Sequence, residues 1–137
     1  MSAATILLAD DEAHITCVVA AKLRGVGFAV TTARDGEEAL ELALRSPPAL
    51  VITDLQMPRL SGLQLARKLK DNPSTARVPV IMLTARGYIA EPEELARTNI
   101  QRMMSKPFSA REVLKQVHEL LGSGTGFTAA GPGREAA

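Results

Sequence analysis

Hydrophobic positions along the chain fall into two alternating patterns. Short continuous apolar runs, Ile6 to Ala9, Leu50 to Ile52 and Val80 to Leu83, lack polar interruption, which is how strands buried on both faces of a parallel sheet read. Two weaker runs join them. Phe28 to Thr31 follows the Gly25-Val26-Gly27 punctuation, and the more polar Arg102 to Ser105 suits an edge strand. Between the runs the period becomes helical: Ile15, Val18, Val19 and Leu23 share a face, as do Ala39, Leu42 and Ala43, and then Leu63, Leu65, Ala66 and Leu69.

Start and stop signals support this alternation. Gly25 is placed to close the first helix, Asp35-Gly36 to open the second and Ser46-Pro47-Pro48 to end it. Ser109 with Glu112 has the spacing of a capping box for a last helix running to about Leu121. Five strand-helix units predict an open, doubly wound α/β fold, because parallel neighbours need right-handed crossover helices. Residues 4–121 are thus expected to form one domain. Residues 122–137, GSGTGFTAAGPGREAA, read as a flexible Gly-rich tail or the stump of a linker.

Composition narrows the function classes. Sixteen lysines and arginines nearly balance fifteen aspartates and glutamates, so bulk charge favours neither nucleic acid nor an anionic membrane as a partner. The single cysteine, Cys17, has no partner for a disulfide, and no apolar run nears the length of about 20 residues that spans a bilayer. A cytoplasmic, soluble protein is expected. Any charge chemistry must therefore be local.

In an open parallel sheet the ligand crevice lies beyond the carboxyl ends of the strands. Four predicted strands end in polar residues: Asp10-Asp11-Glu12, Asp54, Thr84 and Lys106-Pro107. Carboxylates converging on one small crevice repel one another and resist ionisation unless a cation compensates. An all-oxygen set with no adjacent cysteine or histidine suits magnesium better than zinc. An aspartate can also attack phosphorus to give an acyl phosphate, a reaction that needs positioning and charge neutralisation above all. Lys106 could pair with Asp54 before such a reaction and with a phosphoryl oxygen after it, and the Thr84 hydroxyl could donate to another.

The segments LLADDE, TDLQMPRLSGLQL, MLTA and SKPF, in this order and spacing, resemble the receiver domain of two-component response regulators, similar to CheY. The resemblance covers residues from about 4 to 121. It implies a flavodoxin-like sheet of order 2-1-3-4-5 flanked by five helices, with Asp54 as the phosphate acceptor. It further implies that Asp11, Asp54 and the backbone carbonyl of Gln56 bind Mg2+, with Asp10 supporting the metal through water. Thr84 would be the switch hydroxyl, and Lys106 the lysine preceding a cis Pro107. Gln56 and Arg86 would flank the path of the hydrolytic water and tune the phosphorylated lifetime. The implied donor is a sensor histidine kinase or a histidine phosphotransfer protein. The implied output is a protein target bound through the surface of the last two strand-helix units, with a homodimer as one form of assembly. Such a chain catalyses only its own phosphorylation and dephosphorylation.

Two departures stand out. Met103 lies where the family usually has an aromatic switch residue, and Asn99 where a glycine often turns the chain into the fifth strand; asparagine tolerates a left-handed backbone better than most residues. Met57-Pro58 and Gly62 read as turn chemistry, Ala85 as a small residue leaving room for a phosphoryl group, and His14, His118 and Cys17 as surface or packing residues. Three rival readings compete with this one. A phosphorylation-independent adaptor is motivated by Met103 and Asn99. An aspartate-nucleophile phosphatase fits poorly, because its acid/base aspartate should stand two residues after the nucleophile and Glu12 stands there after Asp10. A flavin site would need a phosphate cradle where the acidic first loop would repel phosphate.

Overall fold

The computed structural model describes residues 4–85, 88–106 and 108–121; the expectations for Arg86, Pro107 and residues 122–137 fall outside them. Five parallel strands, β1 (Thr5–Ala9), β2 (Ala29–Ala33), β3 (Leu50–Asp54), β4 (Val80–Thr84) and β5 (Ile100–Ser105), form one sheet of order β2-β1-β3-β4-β5. The helices are α1 (Ala13–Gly25), α2 (Gly36–Arg45), α3 (Gly62–Asp71), α4 (Pro92–Ala96) and α5 (Ala110–Leu121). Fold class and strand order are those expected.

Every residue of β3 and β4 is buried, and all of β1 after Thr5 is at least nine-tenths buried. This explains their unbroken apolar runs. Alternate residues feed two cores. Ile6, Leu8, Ile52 and Leu83 pack with Val19 and Leu23 of α1 and Val113 and Val117 of α5. Leu7, Val51, Val80 and Met82 pack on the other side with Ala39 and Ala43 of α2 and Leu65 and Leu69 of α3.

Caps set the ends of the helices. Asp35 accepts from the Glu38 amide at the start of α2, and Ser61 with Gln64 forms a capping box that starts α3. The Ser109–Glu112 pair is reciprocal, as its spacing predicted: Glu112 accepts from the Ser109 amide at 3.0 Å, and Ser109 from the Glu112 amide at 3.1 Å.

Three expectations differ from the structure, at Val18, the edge strands and Asn99. α1 ends at Gly25, as expected, with the positive φ two residues later at Gly27 (107°). The Phe28 amide then reaches the Leu23 carbonyl and the Gly27 amide the Arg24 carbonyl, the paired bonds of a Schellman ending. Val18 is 49% exposed, because Ala20 turns inward with Val19 and Leu23, while the Thr16 hydroxyl donates to the Asp10 carbonyl on that side. The edge strands depart from their expected bounds: β2 starts at Ala29 instead of Phe28 and continues to Ala33, and β5 begins at Ile100 with a register shift opposite Val80 and Ile81. Asn99 does not take a positive φ; among described non-glycine residues only Arg59 does, at 72°. Asn99 is buried, and its side-chain oxygen accepts from Lys70 Nζ at 3.1 Å.

Candidate functional site

The parallel sheet brings the carboxyl ends of β1, β3 and β4 side by side, with Ala9 opposite Thr53, Asp54 opposite Leu83 and Thr84 opposite Ser105. Asp54 and Thr84 are the last residues of their strands, whereas Asp10 and Lys106 follow theirs directly. A backbone bond from the Lys106 amide to the Thr84 carbonyl (2.8 Å) ties the last two ends together.

Asp10, Asp11 and Asp54 each place a carboxylate oxygen within 4.8 Å of the others. Asp10 is fully buried and Asp54 is 6% exposed, while Asp11 faces solvent. One Asp10 oxygen accepts from the Glu12 amide at 2.9 Å. The other, Oδ2, is buried with no partner among the described residues. A buried carboxylate oxygen with no donor is costly, and a hard cation with its water satisfies such an oxygen directly. The donor set, all carboxylate oxygen, therefore fits magnesium.

The electrostatics agree. Burial raises the Asp10 pKa from 3.8 to about 6, with the Glu12 amide holding it down and the Asp54 charge pushing it further up. Burial also raises Asp54, opposed by the charge and hydrogen bond of Lys106 and reinforced by Asp11. For Lys106 burial works against the ammonium, but the attraction of Asp54 and hydrogen bonds to Glu12 and Asp54 outweigh it and raise the pKa. The site holds more negative charge than its lysine can balance.

Lys106 Nζ lies 3.3 Å from Asp54 Oδ1 and 3.2 Å from Glu12 Oε1. Sequence reasoning assigned Glu12 no role, since nothing local marks a contact between residues 94 apart. The Thr84 side chain is buried and its hydroxyl donates to the Met104 carbonyl over 3.4 Å. Met103 lies away from the acidic cluster on β5, 37% exposed.

The loop that carries Gln56 is held from several sides. The Leu55 amide donates to the Leu83 carbonyl and the Gly62 amide to the Leu55 carbonyl. A Cβ at Gly62 would collide with the Asp54 carbonyl and stand 2.8 Å from Met82 Sδ, so this turn requires glycine. A Cβ at Gly36 would collide with the Leu60 carbonyl, which packs the loop onto the start of α2. Arg59 bridges the same junction, its Nε 3.5 Å from Asp35 Oδ2. Among the described residues, no helix is long and apolar enough to cross a membrane.

Comparison with known proteins agrees with this geometry. Residues 6–118 match the family described as the response regulator receiver domain. The transcriptional regulatory protein SrrA of Staphylococcus aureus is 37% identical over 116 residues, which are 85% of this chain and 47% of SrrA. A probable transcriptional regulator of Guillardia theta, ycf27, is 35% identical over 116 residues, covering 85% of this chain and 44% of its own length. The chain thus spans less than half of these relatives. The chemotaxis response regulator CheY4 of Vibrio cholerae superposes with a TM-score of 0.80 at 28% identity, over 88% of this chain and 100% of CheY4. The receiver domain of a sensor histidine kinase from Pseudomonas aeruginosa PAO1, solved with a magnesium ion coordinated in its active site cleft, superposes at 0.78 with 29% identity, over 89% of this chain and 100% of its own. Sequence match, strand order and the acidic cluster with its lysine lead to one assignment: the chain belongs to the receiver domain family of two-component response regulators.

Proposed function

We propose that Asp54 accepts a phosphoryl group from a histidine kinase or a histidine phosphotransfer protein, and that the phosphorylated form changes its affinity for a protein partner. One observation carries this reading. Asp54 is a nearly buried carboxylate with two further carboxylates within 4.8 Å and the Lys106 ammonium 3.3 Å away, a placement that stability alone does not favour.

In the transfer an Asp54 oxygen attacks phosphorus, the phosphorus–nitrogen bond of the phosphohistidine breaks, and the imidazole nitrogen leaves with the electron pair. Magnesium held by Asp11, Asp54 and the Gln56 carbonyl, with Asp10 behind it, would neutralise acceptor and phosphoryl charge together. The acidic cluster with its orphaned Asp10 oxygen supports that ion, as does the magnesium in the similar Pseudomonas receiver. Lys106 passes from the Asp54 carboxylate to a phosphoryl oxygen. Thr84 gives up its long bond to the Met104 carbonyl and donates to another phosphoryl oxygen, and Ala85 leaves room for the group.

Release of the Met104 carbonyl alters β5 beside Met103. The relay therefore reaches the α4-β5-α5 surface through a strand carbonyl, with no aromatic rotor needed. Exposed Gln56 flanks the route of the water that hydrolyses the acyl phosphate. The chain acts on its own phosphoryl group and turns over no separate substrate.

Incubation with acetyl phosphate and Mg2+ followed by intact mass measurement tests this. Wild type is expected to gain one phosphoryl group and Asp54→Ala none. No gain in wild type, or equal gain in both, would sink the reading.

A further inference from the structure

Glu12 occupies the position that starts α1, yet its side chain makes no capping bond to that helix. Its backbone amide holds Asp10, and its carboxylate crosses the cleft to Lys106 at 3.2 Å, closely matching the 3.3 Å to Asp54. Glu12 also stands outside the group of carboxylates gathered for a cation. The contact its side chain makes with the site is Lys106. From this sharing we infer that Glu12 is a positioning residue, which holds Lys106 between two carboxylates in the resting site and thereby lowers the phosphorylated fraction and shortens its life.

The inference rests on Asp54 being the acceptor. Two effects of the Glu12 charge then have the same sign. Lys106 must leave Glu12, at least in part, to serve a phosphoryl oxygen, so the resting pair favours the unphosphorylated state. The Glu12 carboxylate also repels the phosphoryl charge that Lys106 would bring close to it. Both effects are bounded by exposure, since the Glu12 side chain is about half exposed and such pairs are screened by water and salt.

The test is phosphorylation of the full chain with acetyl phosphate and Mg2+, comparing wild type with Glu12→Gln and Glu12→Ala at low and at high salt. Neither variant removes a cap, so both are expected to fold. The steady-state ratio of phosphorylated to free chain should rise about twofold to fivefold in both variants at low salt. The phosphorylated half-life should lengthen alongside it. The gain should shrink toward wild type in about 1 M sodium chloride, where the Debye length is about 3 Å, a response that a merely structural defect would not give. If wild type is phosphorylated but the variants match it or fall below it, or if their gain is indifferent to salt, the role of Glu12 is overturned while Asp54 stands. Wild type that takes no phosphoryl group overturns both.

Discussion

The carboxyl ends of β1 and β3 and the β5 side of the molecule are built differently. Around Asp54 the chain is packed without slack: Asp10 is fully buried, Gly62 has no room for a Cβ, and Met82 lies beneath the turn with no exposed surface. Toward β5 the cover thins. α4 is a five-residue helix with no buried residue, Ile89 is 86% exposed, and β5 shows Gln101, Met103 and Ser105 to solvent. Phosphoryl chemistry needs groups held in place, whereas a switch needs an element with two accessible arrangements. The proposed function assigns each task to its own region, and the Thr84–Met104 hydrogen bond runs between them.

Two methionines offer the sharpest contrast. Met82→Ala is expected to destabilise the fold by about 3 kcal/mol, the order seen for fully buried large-to-small changes. Met103→Ala should cost under about 1 kcal/mol. Urea unfolding of both variants checks this, and a cost at Met103 equal to that at Met82 would show the β5 side to be as firmly packed as the site.

A somewhat smaller effect is expected at Asp10. Its folded pKa of about 6 lies above the ordinary 3.8, so between those values the folded chain binds more protons than the unfolded one. Stability then falls as pH rises through that window. In metal-free buffer Asp10→Asn should therefore be more stable than wild type at pH 7 to 8, by about 2 kcal/mol once the linkage limit of about 3 kcal/mol is discounted for solvent screening, the gain fading below about pH 4. Added Mg2+ should narrow or reverse the gap by stabilising wild type alone. Thermal melts across pH, with and without Mg2+, would expose an Asp10 that stabilises the metal-free fold.

The same contrast explains what the chain made legible. β1, β3 and β4 are readable because burial on both faces leaves no polar alternation, and their ends locate Asp10, Asp11, Asp54 and Thr84 in one crevice, to which the end of β5 adds Lys106. Edge strands β2 and β5 extend beyond their apolar runs, β2 to Ala33 and β5 back to Ile100, since outward residues such as Thr32 and Gln101 look like loop. α4, five residues long, is too short to show a helical period. Arg59 carries no local mark of its positive φ; the loop's packing against α2 imposes it. Glu12 was overlooked for a related reason, because its partner is set by the sheet and not by its neighbours.

The link between the two regions is tested most directly by amide NMR spectra of the labelled chain in Mg2+, recorded before and after acetyl phosphate. Thr84 and β5 from Met103 to Ser105 are expected to shift, Thr31 and Thr32 on β2 to stay, and Asp54→Ala to show neither the β5 shifts nor a phosphoryl group. Shifts confined to the loop after Asp54, or β5 shifts that persist in Asp54→Ala, would contradict the coupling.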